Sequence, residues 1–587
     1  MVQSTILTDG PSAQSQPATP DASGLAPQAW ISRFTVPLVS DQAEAASGPL
    51  KGLVFAAKDN IDALGLPTTA GCPAFSHAPQ AHAAVVQKLL GAGASLVGKT
   101  NLDQFACGLN GTRSPYGAVP NAINPAYVSG GSSSGSAYVV ATGQVDFALG
   151  TDTAGSGRVP AGLNNIVGLK PSRGLLSARG VVPAAQSVDC VSIFARSVGT
   201  AVRVLEAAMG HDPLDAYSRA LPMATQAFPA AFRFGVPSAL EFEGDAAAEV
   251  AFQEAVSRLQ AMGGSAVTVD FAPLAEVAAL LYESALVAER YTAIRGFFDA
   301  HESDVIEPVR SIIAAGRNYS AADLYAVQTR VKQLGQQADA MWDSIDFLMV
   351  PTAPTHYTIA QMQNDPVVLN RKLGAYTNFV KLLVYAALSV PSAIRADGLP
   401  FGITLIGQAG SDWQLAELGQ RYHHLSGMTQ GATGRPLPPA QAIAGIQPEA
   451  CIRLAVVGAH LSGMPLNGQL TERGATLVRS AKTAAHYRLY ALPGTTPPKP
   501  GMLRVAPDQG AQIELEIWEM PLRHYGSFVA LIPAPLGIGT LELDDTSTVQ
   551  GFVCEAHALQ GAQDISQFGG WRAYIDSLAG DKAAVGS

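Results

Sequence analysis

From about residue 50 the chain alternates short apolar runs with segments whose apolar residues recur at helical spacing. GLVFAAKD reads as a strand that ends in charge. AHAAVVQKLLGAGASLVGKT reads as a helix, a glycine stop and the strand SLVGKT. FALGTD is another short strand, and GSAYVVATG before it is a helix whose N-terminus carries a Gly/Ser loop. This alternation predicts an α/β fold, a mixed sheet covered by helices on both faces. Residues 245–340 read as mostly helical, with DAAAEVAFQEAVSRLQAMGG carrying an apolar stripe closed by Gly-Gly. DFLMVPTAPT and LPFGITLIG then return strands.

The periodicity lapses in GATGRPLPPAQAIAGIQPEAC, a stretch rich in Pro, Gly and Ala. IRLAVVGAHL starts a strand afresh. AHYRLYAL, QIELEIWEMP, SFVALIP and GTLELDD follow as β-like runs, and WRAYIDSLAG as a closing helix. The expected organisation is a loose polar tail over 1–28, a first domain over 29–430, a linker over 431–450 and a small α+β domain over 451–587.

Composition narrows the function classes. A chain of 587 residues exceeds one ordinary core, and 48% hydrophobic against 14% charged residues describes a well-buried globular protein. A net charge of -10 argues against a nucleic-acid partner. No apolar run is long enough to span a bilayer, and the first residues lack the basic-then-apolar pattern of a secretion signal. The five cysteines, at 72, 107, 190, 451 and 554, show no CxxC spacing. They read as reduced thiols of a cytoplasmic protein, and no metal or cofactor is expected.

The chemistry concentrates at 130–162, GGSSSGSAYVVATGQVDFALGTDTAGSGRVPAG. A flexible linker would bury nothing, yet an apolar helix and strand separate the two Ser/Gly clusters, and no GxxxxGK[ST] phosphate loop is present. Together with AAKDNIDALGLPTTAG (56–71) and GLNGTRSPYGAVPNAINP, the segment resembles the amidase signature family, the Ser-Ser-Lys amidohydrolases, over residues 30 to 430. The resemblance implies Ser156 as nucleophile, Ser132 as proton relay after a cis peptide from Gly131, and Lys58 as base. It implies an oxyanion hole from the N–H groups of Thr153, Ala154, Gly155 and Ser156, and Asp152 reads as orienting that turn.

The physical logic runs in parallel. A serine hydroxyl attacks only when a base takes its proton. A lysine serves as that base only when burial or positive surroundings keep it neutral. Lys58, at the end of an apolar strand, suits such a site; the alternative is a solvated lysine paired with Asp59 or Asp62.

Near its full length, through GAHLSGMPLNGQL (458–470) and the tail from GTLELDD onward, the chain is similar to the allophanate hydrolase family. There an amidase domain precedes a γ-glutamyl-cyclotransferase-like domain. That resemblance implies allophanate as substrate, ammonia and carbon dioxide as products, a homodimer, and Tyr282, Arg290 and Gly131 as substrate-binding residues. Tyr282 and Arg290 stand eight apart, two helical turns, so one helix face would carry both; the alternative for Arg290 is an ion pair with Glu283 or Glu289. In the second domain His460, His486 and Glu516 are the candidates, beside Asn467, Glu519 and His524.

The chain also departs from the pattern. NFVKLLVYAALSVPSA (378–393) stands where NFVNLLDLAALAVPAG is expected, so Lys381, Val384 and Tyr385 replace Asn-x-x-Asp-Leu. AQSVDC (185–190) stands for CRSLDC, and Cys107 and Asn110 for Thr and Val. These changes leave the Ser-Ser-Lys set intact and keep another small amide open as substrate. The amidase-type component of a glutamine-dependent amidotransferase and a non-catalytic scaffold are the remaining alternatives. The second domain and the acidic charge speak against the first, and the intact catalytic set against the second.

Overall fold

The computed structural model describes residues 6–7, 25–40, 47–447 and 450–585, with no side-chain description for 6–7 and 579–585. It divides into two compact units, Met1–Gln447 and Pro448–Ser587.

The first unit is built on a twelve-stranded sheet. Its strands in chain order are β1 (Ile6–Leu7), β2 (Trp30–Leu38), β3 (Val54–Lys58), β4 (Ser95–Thr100), β5 (Phe147–Asp152), β6 (Val167–Lys170), β7 (Cys190–Ala195), β8 (Phe232–Pro237), β9 (Gly264–Val269), β10 (Phe347–Pro351), β11 (Ala386–Ile394) and β12 (Pro400–Gly407). Their spatial order is β1-β2-β4-β3-β5-β7-β6-β11-β12-β10-β8-β9. The sheet is mixed: β3 runs parallel to both β4 and β5, whereas β5 and β7 are antiparallel.

Side-chain alternation explains why the central strands read as continuous apolar runs. Phe55, Ala57, Phe147, Leu149 and Ile193 enter one core with helices Ala84–Gly91 and Val198–Ala208. Ala56, Ala148 and Phe194 enter another with helix Ser134–Ala141. Both faces are therefore buried, and little room is left for polar positions. Lys58, two residues beyond Ala56, continues the face on which helix Ser134–Ala141 packs.

Two expectations meet a different structure, and a third holds with one interruption. Of the segment 1–28, Ile6–Leu7 pairs with β2, residues 25–28 lead into it, and the rest lies outside the described residues. The unit boundary falls inside the stretch read as a linker. Up to Gln447 that stretch packs on the first unit: Ile443 is buried in its core, and Ala432 and Gln447 donate to Ala141 and Thr225. Its lack of periodicity reflects irregular packing, not freedom. The mostly helical segment 245–340 is interrupted by β9, which follows helix Ala246–Ala261 after the Gly-Gly stop.

The second unit holds a five-stranded and a three-stranded sheet. Its strands are β13 (Cys451–Val456), β14 (Thr476–Lys482), β15 (Tyr487–Ala491), β16 (Pro500–Arg504), β17 (Glu514–Pro521), β18 (Leu536–Glu542), β19 (Thr548–Cys554) and β20 (Gln563–Asp564). The sheet orders are β14-β17-β13-β19-β18 and β16-β15-β20. Helix Trp571–Val585 closes the unit. The run SFVALIP is not a strand: it spans the end of helix Leu522–Val529 and the turn after it. A short apolar run has no period long enough to tell a strand from a helix end.

Candidate active site

Lys58 ends β3 with its side chain wholly inaccessible to solvent. Its Nζ donates to Ser132 Oγ and to Thr151 Oγ1, each at 2.7 Å. Neither neighbouring carboxylate claims it: Asp59 pairs with Lys99 at 3.3 Å and accepts from Thr69, and Asp62 accepts from Thr68. Burial pulls the Lys58 pKa from 10.5 down to about 7, against the opposing pull of Asp103, Asp189 and Asp152. Lys58 therefore gives up its proton far more readily than a solvated lysine.

The Gly131–Ser132 peptide is cis. Gly131 lies against the 103–111 loop so closely that a Cβ would sit 2.1 Å from Asp103 Oδ2. The Gly131 carbonyl accepts no hydrogen bond among the described residues. Ser132 O accepts from Asp103 N (3.1 Å), and the Asp103 carboxylate gathers the N–H groups of Asn110, Gly111 and Arg113. The same loop meets the second serine, since Ser156 Oγ donates to Gly108 O at 3.4 Å. The two serines thus converge on one loop, but no Ser132–Ser156 hydrogen bond occurs among the described residues.

The turn bearing Ser156 is pinned from below. Arg158 grips Asp152 through Nε (2.9 Å) and Nη2 (3.1 Å), and Gly157 N donates to Asp152 Oδ2 (3.1 Å). Thr153 Oγ1 donates to Asp189, whose other oxygen accepts from Ala184 and Ala185. Gly155 is required sterically: a Cβ there would lie 2.2 Å from Thr377 Oγ1. Among the described residues none of the N–H groups of Thr153, Ala154, Gly155 and Ser156 donates a hydrogen bond. Four unclaimed donors on a buried turn are available to a negatively charged group.

Tyr282 and Arg290 do not share one helix. Helix Ala272–Glu283 ends at Ser284, whose extended backbone and capping hydroxyl start a new turn before helix Ala288–His301. The break still brings them together, with Arg290 Cζ 5.0 Å from the centre of the Tyr282 ring, a cation–π contact. Glu289 is taken by Ser187 (2.6 and 2.7 Å) and Glu283 by Arg371 (2.7 Å), so neither holds Arg290. Arg290 is 4% exposed and its Nη1 has no hydrogen-bond partner among the described residues. A buried guanidinium with an open donor is a ready seat for a carboxylate.

Of the departures, Asn110 is tied to Asn370 Oδ1 (2.8 Å), and Tyr385 donates to Asp339 (2.7 Å). Cys107 is buried, one residue before the carbonyl that Ser156 touches. Sequence reasoning missed Thr151, Asp103 and Asp189, whose places depend on strand order and loop closure.

In the second unit, His460 stacks on Phe552 (5.1 Å) and meets Gln469 Oε1 at 2.9 Å; Asn467 donates to its carbonyl. Burial pushes the imidazole pKa down. His460 lines a cavity of about 210 Å³ with Gln469, Lys499, Leu466, Leu531 and Phe552. The other candidates lie outside that cavity. Glu516 accepts from Ser462 N and Oγ, Trp518 and Arg572, every one between 2.7 and 3.1 Å, so it clamps the loop after β13. His486 faces Glu542 (3.4 Å), Glu519 faces Arg453 (3.6 Å), and His524 accepts from Arg523.

Comparison with known proteins places this geometry. Residues 38–416 match the family model described as Amidase, and residues 452–576 the model described as Allophanate hydrolase C-terminal domain. The chain is 45% identical over 552 residues to the urea amidolyase of Lachancea kluyveri, covering 92% of itself and 30% of that relative's length. It is 34% identical to a glutamyl-tRNA(Gln) amidotransferase component from Haloarcula marismortui, over 63% of itself and 95% of that relative. The solved allophanate hydrolase of Kluyveromyces lactis superposes with a TM-score of 0.76 at 42% identity, covering 94% of each chain.

Proposed function

The chain belongs to the Amidase family, a family of amidohydrolases, and from that premise we propose that it hydrolyses allophanate to ammonia and carbon dioxide through Lys58, Ser132 and Ser156. The observation that carries the reading is the fully buried Lys58 ammonium site bonded to Ser132. Neutral Lys58 takes a proton from Ser132, and Ser132 takes one from Ser156. A χ1 rotation of Ser156 away from Gly108 O joins the relay once substrate enters. Ser156 then attacks the terminal amide carbonyl, and the oxyanion forms against the N–H groups of 153–156, where one donor is worth about 3 kcal/mol. Ser132 returns the proton to the departing ammonia, and water releases the acyl group. Arg290 and Tyr282 hold the substrate carboxylate.

The first product is a dicarboxylated amine, whose loss of carbon dioxide yields the second ammonia. We assign its handling to the His460 cavity, where the match to the allophanate hydrolase C-terminal domain supports the assignment. Glutamine-dependent amidotransferase chemistry is less well supported, since that relative matches 63% of this chain at 34% identity, against 92% at 45% for the urea amidolyase. The reading carries with it a homodimer, by resemblance. It also carries a reducing, cytoplasmic setting, in keeping with five free cysteines. Among the described residues no helix is long and apolar enough to cross a membrane.

The test is ammonia release from allophanate, malonamide, glutamine and simple aliphatic amides. Allophanate is expected to be turned over best, and Ser156→Ala to abolish turnover with the fold intact. Turnover of another amide with none of allophanate would refute the substrate assignment, and activity retained by Ser156→Ala the nucleophile.

A further inference from the structure

Asp103 takes no step in the reaction path above, yet its carboxylate lies against the backbone beside both serines. It follows β4 and is fully buried. Its N–H donates to Ser132 O at 3.1 Å, which ties it to the residue after the cis peptide. Three backbone donors of the returning loop converge on its carboxylate. Oδ2 accepts from Asn110 N (3.2 Å) and Gly111 N (3.1 Å), and Oδ1 from Arg113 N (3.0 Å). A carboxylate can accept from all three, whereas an amide of the same shape would set its own NH2 against one of them.

Two glycines close on the same group. A Cβ on Gly108 would lie 2.3 Å from Asp103 Oδ2, and a Cβ on Gly131 2.1 Å from it. Gly108 is the residue whose carbonyl accepts from Ser156 Oγ, and Gly131 begins the cis peptide to Ser132. One carboxylate oxygen therefore separates the backbone that holds Ser156 from the backbone that carries Ser132. The bend between Asp103 and Gly108 is held firmly. Phe105 and Ala106 are both left-handed, at φ 50° and 54°, a region their side chains disfavour. Such a pair persists only where its surroundings enforce it. Here Phe105 N donates to Ala70 O (2.8 Å), Ala106 N to Asp103 O (2.8 Å) and Gln104 N to Arg113 O (2.7 Å). Asn110 joins the loop to helix Val368–Leu373 through Asn370 Oδ1.

We propose that Asp103 is a positioning residue of the amidase reaction: its carboxylate spaces Gly108 from Gly131, and so sets the distance across which Ser156 hands its proton to Ser132. The inference rests on the site reading above. Ser156 Oγ is turned to Gly108 O, and the relay needs that oxygen to swing to Ser132. The carboxylate holds both backbones while the side chain turns. Proton transfer needs its heavy atoms within hydrogen-bond reach, so this spacing governs turnover more than substrate binding.

The experiment uses the full chain with Asp103→Asn, assayed on the best amide of the panel and labelled with a small phosphonyl fluoride. In labelling, the Ser156 oxygen bonds to phosphorus, fluoride leaves, and the hydroxyl proton passes to Ser132. Asp103→Asn is expected to lower kcat by about ten- to a hundredfold, with KM changed by less than about threefold. The labelling rate should fall by the same factor, while every folded chain is still labelled in the end. If Asp103→Asn does not fold, Gly108→Ala presses on the same oxygen from the other side and carries the same expectations. An unchanged kcat and labelling rate overturns the proposal. So does a kcat loss matched by a smaller labelled fraction, the mark of general destabilisation, or a loss of kcat/KM carried by KM alone. A folded wild-type chain that releases ammonia from no amide and is not labelled at Ser156 overturns the site reading itself, and this proposal with it.

Discussion

Replacing Lys58 by methionine should make the first unit more stable at neutral pH while abolishing its activity. The side chain is wholly buried, and its pKa falls from 10.5 unfolded to about 7 folded. Between those values the unfolded chain holds a proton that the folded chain has released, so stability rises with pH across that window. Below pH 7 the full cost of burying the lysine is present. At about 1.4 kcal/mol per tenfold change in protonation, that cost is about 4 kcal/mol at pH 7 and about 1 kcal/mol at pH 10. Methionine fills similar space without the cost, but it forfeits the hydrogen bonds to Ser132 and Thr151, worth about 1 kcal/mol each. Lys58→Met should therefore be about 2 kcal/mol more stable than wild type at pH 7 and about 1 kcal/mol less stable at pH 10. Lys170, also at about 7, is present in both proteins and drops out of the difference. The assay is urea unfolding of the full chain at several pH values, following the transition of the first unit. A stability difference that stays constant from pH 7 to 10 would refute a desolvated Lys58. So would a wild-type rate profile with no acid limb near pH 7.

Arg290→Lys keeps the charge and loses the planar fork; kcat/KM for a carboxylated amide should fall by about a hundredfold, while an uncharged amide changes by less than about threefold. Equal losses on both would remove the carboxylate role. Val384 has φ 61°, in the left-handed region, and follows helix Phe379–Leu382 with Tyr385 N donating to Val380 O. Glycine or asparagine suits that capping position, so Val384→Asn should stabilise by about 0.5–1 kcal/mol, measured by urea unfolding. His460→Ala should leave amide cleavage at the first site unchanged and let the dicarboxylated amine accumulate in ¹³C NMR of the products. Unaltered product kinetics would leave the cavity without that role.

What could be read along the chain was the local part of the site. Lys58 was legible because β3 is a short apolar run that stops at a charge. The Ser132 and Ser156 clusters were legible because each sits in its own Gly/Ser turn, next to the helix or strand that displays it. The partners were not legible, because sequence separation hides them. Thr151 meets Lys58 only because β3 and β5 are parallel neighbours, across 93 residues of chain. Asp189 meets Thr153 only because β7 returns antiparallel beside β5. Tyr282 and Arg290 do meet, but not by the route that their spacing suggests. Two helical turns do not join them, and the break at Ser284 does, a distinction that spacing cannot make. Lys381 shows the same limit in reverse. As a substitution at a family position it was visible as an oddity, but a lysine in a short apolar run gives no sign of whether it reaches solvent. Only the structure shows that Lys381 is fully buried on helix Phe379–Leu382. The proposed catalytic groups thus lie in short local motifs, while the carboxylates that act on Lys58, namely Asp103, Asp152 and Asp189, are brought in by the strand order and by loop closure.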